Sequence, residues 1–79
     1  MKLILYEIIC GGGTTRHARC VNDLVDWVQI LGNQRIKILD INGIWDDGKG
    51  LMSKNIYRTA GFATTDEIIK IIRGREESK

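Results

Sequence analysis

Three consecutive glycines, Gly11 to Gly13, follow an apolar run from Lys2 to Cys10 and limit what this chain can fold into. Apolar side chains on both faces of the run indicate a central strand covered on both sides. Glycine adopts positive φ without steric penalty, which tight turns require. Because Thr14 to Val21 has strand character again, we predict a β-hairpin in which His17 lies opposite Glu7.

The same segment could instead hold a phosphate, a metal or a redox pair. A phosphate loop needs a lysine after its glycines and a following helix, and both are missing here. The spacing of Cys10 and Cys20 is C-x9-C, which matches neither a redox motif nor a zinc knuckle. In the predicted hairpin the two cysteines lie roughly 20 Å apart, and a disulfide requires Cα atoms within about 7 Å. We therefore expect two free thiols.

Catalysis has one candidate base, His17, which could form an acid–base couple with Glu7. A partly exposed cross-strand contact explains the same pair, and no second catalytic group lies nearby in the sequence. We therefore predict that the protein is not an enzyme and has no cofactor. A small enzyme or redox protein that uses His17 or Cys10 is the alternative. The acidic turn at Asp46 lacks the spacing of a calcium loop, so no metal is predicted.

Composition restricts the protein class. The 79 residues predict a single domain over 1–79, with a frayed tail at 75–79. The net charge of +2, from 12 basic and 10 acidic residues, is small for a dedicated nucleic-acid-binding protein. We read no signal peptide, and no apolar stretch approaches the ~18 residues of a membrane span. Two cysteines are too few for a disulfide-stapled secreted scaffold, so we predict a cytoplasmic protein without membrane contact.

The middle of the chain reads as a helix and then two strands. Asn22 or Asp23 could cap a helix through DLVDWVQIL, with Gly32 at its C-terminal end. QRIKILDI reads as a strand whose phase change indicates burial on both sides or a bulge. Asn42-Gly43 predicts a hairpin turn, after which Trp45 starts a return strand.

The last third predicts one uncertain element and one clear helix. Residues Leu51 to Ala60 are either an edge strand or a helical turn, and we favour a strand. Thr64 and Glu67 have the spacing of a capping box and start a helix that Gly74 ends. The element order β-β-α-β-β-(β)-α predicts an α+β fold, a small antiparallel sheet with helices packed on one side. Three aromatic residues are needed for the core, namely Tyr6, Trp27 and Phe62.

Seven residues are candidates for binding a partner: Arg16, His17, Arg19, Trp45, Lys49, Lys54 and Arg58. The basic residues could converge on one patch, joined by Arg35 and Lys37, or could simply solvate a sheet face. Trp45 follows a predicted turn, where a tryptophan either covers the core or anchors an interface.

Three segments, ILYEI, NDLVDWVQ and KILDINGIWDDGK, resemble a pattern in very small proteins encoded by phages and mobile elements, including inhibitors of the anti-CRISPR type. The resemblance covers about residues 2 to 50 and leaves out the helix from Thr64. It implies a stoichiometric inhibitor without catalytic residues, which occupies a nucleic-acid-binding surface or locks a partner protein. It carries over no site residue.

Together these observations predict a non-enzymatic binding protein, most specifically a stoichiometric inhibitor of the anti-defence type. Its partner would be a macromolecule, a protein before a nucleic acid, in the host cytoplasm if the chain is phage-encoded. The alternative is a small nucleic-acid-binding or regulatory module that uses a basic sheet face. A homodimer formed through an edge strand is a further possibility.

Overall fold

The computed structural model describes residues 2–59 and 63–76 as a four-stranded antiparallel sheet and two helices. This confirms the predicted α+β fold. The sheet order is β2-β1-β3-β4, so β1 and β3 are central and β2 and β4 form the edges. The elements in chain order are β1 (Lys2–Cys10), β2 (Thr15–Ala18), α1 (Val21–Asn33), β3 (Ile38–Asp46), β4 (Leu51–Arg58) and α2 (Thr65–Glu76).

The first hairpin forms as predicted. Gly12 and Gly13 have φ angles of 85° and 81°, which side chains other than glycine rarely adopt. The Cys10 amide donates to the Thr14 carbonyl at 2.8 Å and closes the turn. Glu7 pairs with His17 across the strands, as the glycine turn predicted. Both cysteines are free thiols, which confirms the prediction of no disulfide.

Helix α1 begins earlier than predicted, because Cys20 and not Asn22 or Asp23 is its N-cap. The Cys20 sulfur accepts a hydrogen bond from the Asp23 amide at 3.4 Å. The helix also passes through Gly32, where we predicted its end. An added Cβ at Gly32 would overlap Thr65 Oγ1, so this glycine permits the close approach of α1 and α2.

Helix α1 ends in a Schellman motif whose left-handed residue is an arginine. Arg35 has a φ of 59°, its amide donates to the Gly32 carbonyl at 3.1 Å, and the Ile36 amide donates to Leu31 at 2.9 Å. Glycine is the residue usually found at this position. A side chain in this conformation costs about 1 kcal/mol.

The second hairpin turns at a different place from the one predicted. Asn42 and Gly43 lie inside β3, and the turn is formed by Gly48 and Lys49. Gly43 is needed where it lies, because an added Cβ would come 2.9 Å from Trp45 Nε1. Gly48 has a φ of 89° and takes the first central position of the turn, which favours glycine. The segment from Leu51 to Arg58 is a strand, as favoured.

Helix α2 starts at the predicted capping box and runs past its predicted end. Thr64 Oγ1 accepts from the Glu67 amide at 3.2 Å, and Glu67 Oε1 accepts from the Thr64 amide at 3.3 Å. The helix continues through Gly74 to Glu76, whose carboxylate accepts a 2.7 Å hydrogen bond from the buried Tyr6 hydroxyl. Helix α2 therefore includes residues 75 and 76 of the predicted tail. Residues 77–79 and Phe62 lie outside the described residues.

The core fills the space between the helices and one face of the sheet. Its largest fully buried side chains include Tyr6, Ile8, Leu24, Ile41 and Ile72. Trp27 only packs against this core from its edge. A register shift between Ile9 and Cys10 confirms the bulge alternative for β3.

The sheet face on the side away from the helices is the open face. Along its centre it carries Leu5, Glu7 and Ile9 of β1, with Asp40, Asn42 and Ile44 opposite them on β3. All six are half-buried, and none of the described helices lies over them. The prediction of cover on both faces of β1 is therefore wrong for the described part of the chain.

Candidate functional site: the open face and the β4 edge

The predicted basic residues lie at two opposite edges of the sheet. Arg16, His17 and Arg19 belong to β2 or follow it, whereas Lys54 and Arg58 belong to β4. Since β1 and β3 lie between these edges, three strand spacings of about 4.8 Å separate the two groups. The sheet therefore does not bring these side chains together into one patch.

On the β2 edge the basic side chains also point to different faces. The Arg16 guanidinium lies 5.7 Å from the centre of the Trp27 ring, on the side of α1. Such a cation–π contact holds Arg16 along the helix. His17 is exposed on the open face opposite Glu7, and Arg19 is exposed before α1. This edge therefore supplies separate charges on both sides of the sheet.

Near the other edge, polar side chains form a network on the open face. Asn55 Nδ2 donates to Asn42 Oδ1 at 3.0 Å and to Asp40 Oδ1 at 3.3 Å. Arg58 Nε forms an ion pair with the same Asp40 oxygen at 3.0 Å. The arginine is largely exposed, so the pair contributes less than about 1 kcal/mol. The network orders the end of β4 and partly neutralises Arg58.

Trp45 lies on the helix-covered side of β3. Its indole packs beside Gly43, which pairs with the core residue Tyr6. The ring is half-buried. Trp45 is not among the partly buried residues that pack against the core cluster, so both roles predicted for this tryptophan, core cover and interface anchor, stay predictions.

The edge of β4 presents two apolar residues, Leu51 and Met52, that were not among the predicted site residues. Its first four residues, Leu51 to Lys54, are all exposed, and Leu51 keeps 71% of its surface accessible. Met52 is 41% exposed. The strand order agrees with the edge strand favoured for this segment, and two apolar residues directly after a polar turn were the signal that could have identified them.

The backbone of β4 has free hydrogen-bonding groups along this edge. The Asp47 amide donates to the Gly50 carbonyl at 3.2 Å, so Asp47 and Gly50 form a hydrogen-bonded pair at the turn end of the β3–β4 ladder. In an antiparallel ladder, bonded and non-bonded pairs alternate. The pair Trp45–Met52 is therefore bonded, and the pair Ile44–Ser53 is not. The Ser53 amide and carbonyl consequently point away from β3, towards the unpaired edge.

Within residues 2–59 and 63–76, no cluster of three or more His, Cys, Asp or Glu side chains could hold a metal ion. Neither described helix is long and apolar enough to cross a membrane. No family model, curated protein or solved structure matches this chain.

Proposed function

We propose that this protein is a non-enzymatic, stoichiometric inhibitor that binds a protein partner by strand addition at the β4 edge. The observation that supports this proposal is the exposed edge strand, eight residues long, which begins with two exposed apolar side chains. A host defence complex in the cytoplasm is the specific target class we propose, on the basis of the resemblance to anti-CRISPR inhibitors.

Binding by strand addition would give the unpaired edge of β4 a function. Natural sheets usually protect their edges with short strands, bulges or inward-pointing charges, because an open edge pairs with other chains. The edge strand β2 follows this rule with four residues, whereas β4 has twice that length and has its bulge at Ile56, after the exposed stretch from Leu51 to Lys54. The outward amide and carbonyl of Ser53 offer the main-chain bonds that a partner strand needs, and Leu51 and Met52 offer apolar contacts.

Charge defines the partner segment further. Strand β4 contains Lys54 and Arg58 and no acidic residue. Opposite charges across a strand pair are favourable, and like charges directly opposite are unfavourable. The occupant we propose is therefore an extended segment of another protein that carries acidic and apolar side chains. A second copy fits less well, because antiparallel self-pairing near the strand centre places Lys54 against or beside itself.

Nucleic acid binding through the sheet receives less support. The basic side chains are divided between two edges, and the described aromatic residues do not lie on the open face. Tyr6, Trp45 and Tyr57 face the helix side, and Trp27 belongs to α1. Single-stranded nucleic acids are usually held by rings on which bases stack, beside a continuous basic groove.

The test compares Ser53→Pro with Ser53→Thr. Proline removes the outward amide and leaves the β3 bonds in place, while threonine keeps the amide and suits a strand. A protein captured from host lysate is purified and recombined with each variant. We expect a one-to-one complex and full loss of the partner's activity at one equivalent for the natural chain and Ser53→Thr. At least tenfold weaker binding is expected for Ser53→Pro.

A second variant covers the case in which proline disturbs folding. Leu51→Glu changes a side chain that is 71% exposed, so the fold should be unaffected while the acidic partner is repelled. Circular dichroism spectra of all variants check that each is folded. Unchanged binding by both Ser53→Pro and Leu51→Glu would contradict the proposal. So would self-association in sedimentation, or retention of nucleic acid that salt removes.

A further inference from the structure

A cavity of about 310 Å³ lies at the end of the molecule where α1 ends and α2 begins. Its apolar wall includes Val28 of α1, Ile38 of β3 and Ile68 of α2, all of which are buried. Its volume is at the lower limit of the range found for small-molecule sites, which is about 300–1,000 Å³. The described lining is therefore compatible with a compact ligand that has an apolar part.

The charged residues among the described lining are all basic. Arg35 and Lys37 lie on the segment that connects α1 to β3, and the described lining contains no acidic side chain. The Lys37 carbonyl accepts from the Gly11 amide at 2.8 Å, so this connecting segment is attached to the sheet. Two cations beside an apolar wall favour an anionic group in the cavity.

A tyrosine hydroxyl provides independent support for a ligand. Tyr57 lines the cavity, is only 6% exposed, and lies on the helix-covered face opposite Ile41. Its hydroxyl makes no hydrogen bond to any described residue. It is not sealed in the core either, because no buried side-chain polar atom among the described residues lacks a partner. The hydroxyl is therefore accessible, and because Tyr57 lines the cavity it is a candidate donor to a ligand there.

The backbone conformation of Arg35 also supports a ligand in this cavity. Arg35 has a left-handed φ of 59° at a helix end where glycine is more stable. Residues in such conformations cluster at functional sites. Arg35 keeps this unfavourable conformation and is one of the residues that line the cavity.

The N-terminus of α2 would not provide the binding site for the anion. The Thr64 amide is already bonded to the Glu67 carboxylate at 3.3 Å, so the helix is capped by its own side chain. Recognition of an anion would instead come from the Arg35 guanidinium, the Lys37 ammonium and the Tyr57 hydroxyl.

We infer that this cavity binds a small organic anion, with a carboxylate or phosphate group between Arg35, Lys37 and Tyr57 and a compact apolar part against Val28, Ile38 and Ile68. The site lies away from the apolar start of β4, so it does not depend on the proposed inhibitor function. Its ligand could act as a regulator of the chain or as a cargo.

Phenyl phosphate and benzoate are the probes, and benzyl alcohol is the neutral control. Each is titrated into ¹⁵N-labelled full-length protein and followed by amide chemical shifts. We expect both anions to shift the amides of residues 35–38 and 64–68, with benzyl alcohol at least tenfold weaker. The relative affinity of the two anions distinguishes a phosphate ligand from a carboxylate. Binding should weaken as salt increases.

The decisive variant is Arg35→Gly, because it separates binding from stability. Glycine relieves the left-handed strain, so the thermal midpoint should rise while affinity for the anions falls at least tenfold. Tyr57→Phe should weaken binding several-fold. Arg19→Gly, an exposed arginine outside the lining, should bind as the natural chain does. Unchanged binding by Arg35→Gly, equal binding of benzyl alcohol, or no localised shifts would each overturn the proposal.

Discussion

The hydrogen bond between Tyr6 and Glu76 leads to a quantitative prediction of alkaline instability. Tyr6 is 2% exposed, and its hydroxyl donates to Glu76 Oε1 at 2.7 Å. Burial, and then this bond to a carboxylate, raise the pKa of the Tyr6 phenol well above its usual value of 10. The folded state therefore holds the phenolic proton more tightly than the unfolded state does.

The sign and size of the effect follow from proton linkage. The stabilisation is fully present below pH 10, where the phenol is protonated in both states, and is lost as pH rises further. The free energy of unfolding then falls by about 1.4 kcal/mol per pH unit. A domain of this size is typically stable by about 4–12 kcal/mol, so two pH units remove a large part of that.

The variant Tyr6→Phe isolates this contribution. At pH 7 it should lower the free energy of unfolding by about 1.5 kcal/mol, the lower limit for a hydrogen bond to a charged group, because the half-buried Glu76 can turn to water. Phenylalanine does not titrate, so the stability curves of the variant and the natural protein should converge above pH 10 and cross at about pH 11.

Urea unfolding at pH 7, 9, 10 and 11, followed by circular dichroism, measures both curves. Burial also raises the pKa of the Cys10 thiol, so both proteins should lose stability from about pH 9 by the same amount. The difference between the two proteins cancels that contribution. Parallel curves from pH 7 to 11 would refute the reasoning, because the Tyr6 proton would then have no part in stability.

Two further predictions concern glycine packing and thiol access. Gly43→Ala should destabilise the protein by about 1–3 kcal/mol and shift the tryptophan emission, because the new methyl would meet Trp45 Nε1 at 2.9 Å. Gly74→Ala is the matched control in urea unfolding and should stabilise by about 0.5–1 kcal/mol, since nothing lies within 4 Å. Ellman's reagent should modify the exposed Cys20 in the folded protein and the buried Cys10 only after unfolding. Equal reaction rates for the two thiols would contradict the burial of Cys10.

Local signals in the sequence were sufficient where neighbouring residues determine the structure. The glycine turn predicted the pairing of Glu7 with His17, because turn length sets the register of a hairpin. The capping box predicted the start of α2, because Thr64 and Glu67 bond to each other's amides and side chains. Both features depend on contacts within a few residues.

The sequence predicted incorrectly where a distant residue determines the structure. Asn42-Gly43 has the composition of a turn, but the two residues pair with Glu7 and Tyr6 of β1 inside the sheet. Gly32 has the composition of a helix end, but it makes room for Thr65 of the other helix. Nothing local to Arg35 indicates a left-handed conformation.

The spatial arrangement of the candidate site residues could not be predicted from the sequence. The basic residues could be named, but whether they converge depends on the order of the strands. Because β2 and β4 are opposite edges, the predicted patch is divided. The same order places Leu51 and Met52 at an edge, in agreement with the edge strand favoured for this segment, but their exposure could not be predicted from their composition.

The strand order also has a consequence for how the chain folds. The pairs β1–β2 and β3–β4 are hairpins closed by short turns, whereas β1–β3 joins residues as far apart as Lys2 and Asp46. Isolated hairpins form in about 1–10 μs, and pairings between distant residues are slower because a long loop must close first. We therefore expect two early hairpins whose docking along β1 and β3 limits the folding rate, with the partner-binding edge of β4 formed before the core is closed.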